Sequence, residues 1–162
     1  MEIGACYINH EDRQTLEDQL LTQEWINKLP KAFSKGGKFV PIVGDGNCFF
    51  SAVSTYITST KEEPFGTANK HSELRKKACD HIEKNIGREP YKSVMLKWGV
   101  KDTKAYVKRK RSTEGQTSSW SDTCTMRAMQ DLLGRPIKQI TFPIYQNRKP
   151  QPQLGPRIFN MT

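Results

Sequence analysis

The residues best able to do chemistry form one short run, Gly44-Asp45-Gly46-Asn47-Cys48-Phe49-Phe50. A cysteine attacks a carbonyl group as the thiolate, and the N-terminus of a helix stabilises that anion through its free amide groups and its dipole. The two glycines allow a sharp turn of the backbone beside the sulfur, and N–H groups of such a turn can point at the oxyanion of a tetrahedral intermediate. Asp45 and Asn47 can hydrogen-bond the loop into shape. The pattern predicts a nucleophilic Cys48 at the head of a helix, as in a thiol hydrolase.

The elements on either side of this loop must position the thiol. The dense apolar run from Cys48 to Ile57 predicts a buried helix, and residues 39–43 before it predict an extended segment. Pro41 argues against a central place in a sheet for that segment. The competing interpretation of Cys48 is a small buried residue after an ordinary turn, which is the more frequent role of a lone cysteine. The heptapeptide taken as a whole favours the nucleophile.

The rest of the chain is predicted to supply helices and a strand around the loop. In chain order we expect an amphipathic helix over residues 12–29, a helix that begins at Ser72 and ends at Gly87, and a short helix over 102–111. After a loose segment over 112–119, we expect a helix capped by Ser121 or Asp122 and closed by Gly134. A period-two strand over 137–145 and an open proline-rich loop from 146 onward complete the chain. Met126, Met129, Leu132 and Leu133 are the apolar positions predicted for the helix that Gly134 closes.

Length and composition fit one domain of 162 residues with a small core. The 26 Lys and Arg against 17 Asp and Glu give a net charge of +9, which favours acidic partners without choosing among them. The first residues lack the pattern of a secretory signal, and no apolar run is long enough to span a membrane, so we expect an intracellular, cytoplasmic protein. The four cysteines stand far apart, which predicts isolated thiols and neither a zinc site nor a disulfide framework. No metal and no cofactor are expected.

Three blocks of the sequence, taken together, resemble one known family of enzymes. The first block is the nucleophile loop with the residues that follow it, Asp45-Gly46-Asn47-Cys48-Phe49-Phe50-Ser51-Ala52-Val53. The second, His71-Ser72-Glu73-Leu74-Arg75, is similar to the family's second helix. The third consists of Trp120, the helix through Met129 and the strand from Ile137 to Phe142. The family that these blocks resemble is the ovarian-tumour (OTU) family of cysteine proteases, and their order and spacing agree with it from about residue 38 to about residue 144.

The resemblance implies an α/β (α+β) papain-like fold, with a small central sheet flanked by helices, and cleavage of isopeptide bonds to ubiquitin or a related modifier. It implies that Cys48 is the nucleophile and Asp45 the acidic residue of the site, with the amides around Gly46 and Asn47 forming the oxyanion hole. The chain then divides into an N-terminal helix and connector over residues 1–37, an incomplete OTU-like domain over 38–145 and a proline-rich tail over 146–162.

The general base has no clear counterpart in the sequence. The resemblance implies a histidine on a strand that follows the Ile137 strand, whereas the three histidines are His10, His71 and His81. His71 matches a structural position of the family, His81 is expected on a solvated helix face, and His10 lies in the N-terminal segment. The simplest interpretation is that the chain is a fragment, or a derived copy, that lacks its last strands, and the identity of the general base stays unknown.

Three functions follow as hypotheses. The first is a thiol isopeptidase that removes ubiquitin, and the second is an inactive OTU-like module that binds ubiquitin or a protein partner. The third, which the sequence favours least, is a basic nucleic-acid-binding protein. It rests on Lys108, Arg109, Lys110 and Arg111, a run that can serve as a nuclear localisation or nucleic-acid patch but that a helix dipole also favours at a helix C-terminus. Oligomeric state is not predicted.

Overall fold

The computed structural model of the chain describes residues 2–6, 38–42, 45–63, 66–141, 144–146, 149–151 and 157–161. The helices among them are α1 (Cys48–Thr58), α2 (His71–Asn85), α3 (Tyr91–Lys97), α4 (Thr103–Arg111) and α5 (Thr123–Leu133), with a 3-10 turn at Thr117–Ser119. The strands are β1 (Glu2–Cys6), β2 (Lys38–Ile42), β3 (Ile137–Thr141), β4 (Ile144–Gln146), β5 (Lys149–Gln151) and β6 (Arg157–Met161). In these described parts of the chain, no helix is long and apolar enough to cross a membrane. The helix predicted over residues 12–29 lies outside them.

Four strands form one mixed sheet in the order β2-β1-β6-β3. β1 runs parallel to β2 and antiparallel to β6, and β3 runs antiparallel to β6. β2 confirms the extended segment predicted before the nucleophile loop, and it lies at the edge of the sheet, as Pro41 requires because proline has no N–H to donate. The central strand β1 was not predicted, since its sequence EIGAC has no apolar alternation.

The prediction of an open loop from residue 146 onward is wrong. β6 lies between β1 and β3 in the sheet, and β5 pairs with β4 in a second sheet of two strands. The prolines of this segment all stand before residue 157, and the strand after them contains Ile158, Phe159 and Met161. The single strand predicted over 137–145 is also divided into β3 and β4, and Pro143, which cannot take part in a strand ladder as a donor, stands between them.

α1 is the central helix of the core. It contacts β1, β2 and β6 on one side and α2 on the other, while α2 also contacts α4 and α5. The predicted buried helix is confirmed for its first two turns, where Phe49, Phe50, Ala52 and Val53 are at most 1% exposed, whereas Ile57 near its end is 40% exposed. Around it pack Leu74, Ala78, Cys79 and Ile82 of α2, Cys124, Ala128 and Met129 of α5, and Ile42, Ile137 and Phe159 of the sheet.

Local caps fix the ends of the shorter helices. Asp102 accepts a hydrogen bond from the backbone N–H of Ala105 at the start of α4. Asp122 forms a capping box with Thr125 at the start of α5, and Gly134 ends that helix in the left-handed conformation, as predicted. The predicted apolar positions of α5 are only partly correct, because Leu132 is 44% exposed. α2 begins at His71, so Ser72 lies inside the helix and is not its cap.

Replacing Phe159 tests whether β6 belongs to the cooperative core. The ring is 1% exposed and lies edge-on to that of Phe49, with the ring centroids 5.2 Å apart. We expect Phe159→Ala to lower the free energy of unfolding by about 3–5 kcal/mol, because it leaves a cavity beneath α1. Denaturant unfolding followed by circular dichroism measures the change. Leu96→Ala, at a side chain that is 72% exposed, is the control and should change the value by less than about 0.5 kcal/mol. Equal effects would contradict the role of β6.

Candidate active site

Cys48 is the first residue of α1, which confirms the predicted position of the thiol at the head of a helix. The side chain is 8% exposed. Asn47 is the N-cap residue, but its side chain does not accept a hydrogen bond from the first turn of the helix. The helix therefore starts without the side-chain acceptor that usually satisfies one of its first N–H groups, and the positive end of its dipole is directed at Cys48.

The loop before Cys48 is held by an Asx turn. Oδ1 of Asp45 accepts a hydrogen bond from the backbone N–H of Asn47, with a nitrogen to oxygen distance of 2.9 Å. Gly46, between them, has a φ of 83°, which favours glycine. This confirms that Asp45 shapes the loop, while its catalytic role stays a prediction. Because the backbone N–H of Asn47 is donated to Asp45, an oxyanion at this site would be bound by other backbone amides of the loop.

A buried arginine that the sequence did not predict reaches the loop from α2. Nη2 of Arg75 donates to the carbonyl oxygen of Gly46 at 3.2 Å and to Oδ1 of Asn47 at 2.9 Å. Nη1 donates to the carbonyl oxygens of Lys110 at 2.8 Å and Ser119 at 2.7 Å. The guanidinium carbon lies 4.6 Å from the centroid of the Phe50 ring. The sequence indicates the burial of Arg75 only through its position, because residue 75 shares the helical spacing of Ala78, Cys79 and Ile82 on the apolar face of α2.

The segment before Trp120 packs on the other side of the loop. Nδ2 of Asn47 donates to the carbonyl oxygen of Thr113 at 3.2 Å. Gly115 has a φ of 88°, and a Cβ added to it would lie 2.5 Å from the carbonyl oxygen of Asp45. Nε1 of Trp120 in turn donates to the carbonyl oxygen of Gly115 at 3.0 Å. The segment predicted as loose is therefore in close contact with the nucleophile loop.

The cysteines differ in their surroundings. Cys48 takes part in a disulfide, so the expectation of isolated thiols is wrong for this residue, and its chemistry as a nucleophile requires reduction. Cys79 and Cys124 are free and buried. Burial raises the pKa of Cys79 to about 11, although the positive charge of Arg111 acts against the shift. Burial likewise raises the pKa of Cys124 to about 12, against the effect of a hydrogen bond with Tyr106. Both thiols are held in the unreactive protonated form at neutral pH.

His81 lies in a hydrogen-bonded network and not on a solvated face as predicted. Its Nε2 is 3.3 Å from Oδ2 of Asp131, and its ring lies edge-on to that of Tyr91 at a centroid distance of 5.7 Å. The Tyr91 hydroxyl donates to the same carboxylate oxygen at 2.6 Å, and Nε of Arg127 donates to Oδ1 at 2.9 Å. Burial acts to raise the pKa of Asp131, but the hydrogen bonds from Tyr91, Arg127 and His81 outweigh it and lower the pKa.

His71 begins α2, at the end of the helix that meets the middle of α1. The neighbouring backbone N–H of Lys70 donates to Oγ of Ser54 at 3.1 Å. Ser54 lies about 9 Å along α1 from Cys48, at 1.5 Å per residue. The structure therefore does not bring His71 to the head of α1, and His10 lies outside the described residues.

Half of the basic run at residues 108–111 is used inside the protein. Lys110 is 8% exposed, and its Nζ donates to the carbonyl oxygen of Trp120 at 2.8 Å and lies 3.3 Å from Asp122. Arg111 forms ion pairs with Asp80 at 2.7 Å and Glu83 at 2.8 Å, which join α4 to α2. Lys108 and Arg109 are exposed.

The mixed sheet, the central helix and the cysteine at its head fit the α/β papain-like fold of a cysteine protease, which the resemblance implied and the family match below supports. A model of the OTU-like cysteine protease family matches residues 43–162. The match covers about three quarters of the chain, and the chain belongs to this family. It begins just before the nucleophile loop and includes β6, so the segment predicted as a separate tail is part of the matched region. No curated protein matches the sequence.

Gly115→Ala tests the contact between the loop and the segment before Trp120. The matched control is Gly99→Ala, because Gly99 has a φ of 67° and open space where a Cβ would be added. The control carries only the strain of the left-handed backbone, about 1–2 kcal/mol. Gly115→Ala adds a clash with the backbone of Asp45, so its free energy of unfolding should fall by a further 1–3 kcal/mol or so. Equal losses in denaturant unfolding would show that the contact is not tight.

Alkylation tests the difference between the cysteines. In the reduced native protein at pH 8, we expect iodoacetamide to modify Cys48 on the order of 100-fold faster than Cys79 and Cys124, because the raised pKa of the latter two leaves little thiolate. Mass spectrometry of the cysteine-containing peptides measures each rate. The three residues should react at similar rates in guanidinium chloride, which serves as the control. Native protection of Cys48 as strong as that of Cys124 would contradict the expectation.

Proposed function

We propose that the chain is a thiol isopeptidase of the OTU family, which removes ubiquitin or a related modifier from conjugated proteins with Cys48 as the nucleophile. The observation that carries the proposal is the place of Cys48 at the head of α1, behind a loop fixed by Asp45 and Arg75, in a chain that belongs to a cysteine protease family. The net charge of +9 favours acidic partners in general and does not choose the modifier.

The reaction follows from the chemistry of a thiolate. Cys48 attacks the isopeptide carbonyl carbon and forms a tetrahedral intermediate, whose negative oxygen is bound by backbone amides of the nucleophile loop. Collapse of the intermediate breaks the C–N bond, and the lysine amine leaves after it takes up a proton from a general acid. The product is a thioester between Cys48 and the C-terminus of the modifier, which water then hydrolyses. No described residue is assigned the role of the acid and base.

A second candidate function is a module that binds a modifier or a protein partner without cleaving it. The contacts of His81 favour this candidate, since the imidazole is bound to Asp131 and packed on Tyr91. A histidine held in such a network serves the packing of α2 against α3 and α5. The two candidates differ in whether Cys48 can complete an acyl transfer.

Ubiquitin that carries a C-terminal electrophile tests the proposal. After reduction, the native chain should form a covalent adduct, because the thiolate at the head of α1 attacks the electrophile. Cys48→Ala should abolish the adduct, and Cys79→Ala, which removes a buried thiol elsewhere in the core, should retain it. Denaturing gel electrophoresis measures adduct formation.

The other outcomes separate the candidates. Failure of the reduced, folded chain to form an adduct would overturn the isopeptidase. Binding of ubiquitin without an adduct would support the second candidate. An adduct without release of ubiquitin from a lysine-linked conjugate would show a reactive thiol in a site that cannot complete the reaction.

A further inference from the structure

We propose that Arg75 is the positioning residue of the nucleophile loop. It fixes the Gly46 carbonyl and the Asn47 side chain, and so it sets the orientation of the backbone that presents the Cys48 thiolate. The inference rests on the proposed nucleophilic role of Cys48, and it assigns to α2 a part in the reaction that neither the nucleophile motif nor the family match specifies.

The first argument is the geometry of the four hydrogen bonds. One nitrogen of the guanidinium binds the loop, through Gly46 and Asn47, and the other binds the carbonyl oxygens of Lys110 and Ser119. Because the guanidinium is planar and rigid, these two pairs of acceptors are held at a fixed separation. The loop before Cys48 is thereby tied to the C-terminus of α4 and to the 3-10 turn.

The second argument is the setting of the charge. Arg75 is 1% exposed, and its four hydrogen bonds all go to neutral oxygens. Lys110 lies in the last turn of α4, where the carbonyl groups have no partner within the helix and the dipole is negative. Among the described residues, Nε of Arg75 is the buried side-chain nitrogen that has no hydrogen-bond partner. An apolar side chain of similar volume would leave these buried oxygens without their donor, so the hydrogen bonds, two of them to the loop, account for the residue better than packing does.

The third argument is electrostatic. The carbonyl of Gly46 and the side chain of Asn47 belong to the two residues directly before Cys48, so the positive charge lies beside the head of α1. There it adds to the helix dipole, and both favour the thiolate over the thiol. Burial lowers the pKa of Arg75, with opposite contributions from Cys79 and Asp45, but an arginine side chain stays protonated in proteins.

A titration of the reduced Cys48 tests the proposal without any ubiquitin. The rate of iodoacetamide alkylation of Cys48, followed as a function of pH by peptide mass spectrometry, gives the apparent pKa of its thiol. We expect Arg75→Met to raise this pKa by about one unit, the size expected for the loss of one nearby charge in a partly shielded site. Arg75→Lys keeps the charge but loses the planar guanidinium that binds both pairs of acceptors. It should therefore change the pKa less and still slow the reaction of Cys48 with the ubiquitin electrophile about tenfold, because the loop is positioned less accurately.

Arg111→Met is the matched control. It removes one positive charge and two ion pairs between α4 and α2, and it leaves the hydrogen bonds of the nucleophile loop in place. Its Cys48 titration should coincide with that of the parent protein. If the titration of Arg75→Met coincides with that of Arg111→Met, the proposal is overturned.

A second variant covers the case in which Arg75→Met does not fold. Asn47→Ala removes one acceptor of Nη2 from the loop side, together with the donor to the Thr113 carbonyl, and keeps the bonds of Arg75 to Gly46, Lys110 and Ser119. Like Arg75→Met, Asn47→Ala should raise the pKa of Cys48. An unchanged Cys48 titration in this variant would count against the proposal. A shifted titration in a protein that never reacts with the ubiquitin electrophile would uphold the role of Arg75 and overturn the proposed function. Normal labelling by the ubiquitin electrophile with no shift of the Cys48 pKa would uphold the proposed function and overturn the role of Arg75.

Discussion

The guanidinium of Arg75 is the interaction on which the arrangement of the site depends. It binds four oxygens on residues that lie 28 to 44 positions away in the sequence, and these residues belong to the nucleophile loop, the end of α4 and the 3-10 turn. Such a set of acceptors exists only when α1, α2 and α4 have packed together. The loop that presents Cys48 is therefore a product of tertiary structure, although its own sequence determines the turn at Asp45 and Gly46.

The sheet supplies the support on the opposite side of α1. Phe49 is adjacent to Cys48 in the sequence, and its ring packs against Phe159 of β6. The sheet and α2 thus pack against α1 on two sides, while Gly115 and Thr113 contact the loop before Cys48. A nucleophile needs this kind of restraint, because a misplacement of the order of 1 Å can lower the rate substantially.

The sequence predicts those features whose cause is local. Asp122 and Gly134 fix the ends of α5 within a few residues, and the run of apolar residues after Cys48 is sufficient to predict α1. The features that sequence reasoning missed have distant partners. β6 was missed because its pairing partners lie at residues 2–6 and 137–141. The role of Arg75 was missed because three of its four acceptors are backbone carbonyls of distant residues, which no side-chain pattern reveals.

The basic charge of the protein illustrates the same distinction. The net charge includes every charged residue, whereas a binding partner contacts only the charged residues on the surface. Arg75 and Lys110 are buried against carbonyl groups, and Arg111 is paired with two carboxylates of α2. Arg75 and Arg111 join α2 to the nucleophile loop and to α4, and Lys110 joins α4 to Trp120 and Asp122, so each of the three cations has a structural role that requires no acidic partner. The argument for nucleic-acid binding from residues 108–111 is weakened accordingly, because only Lys108 and Arg109 of that run remain exposed.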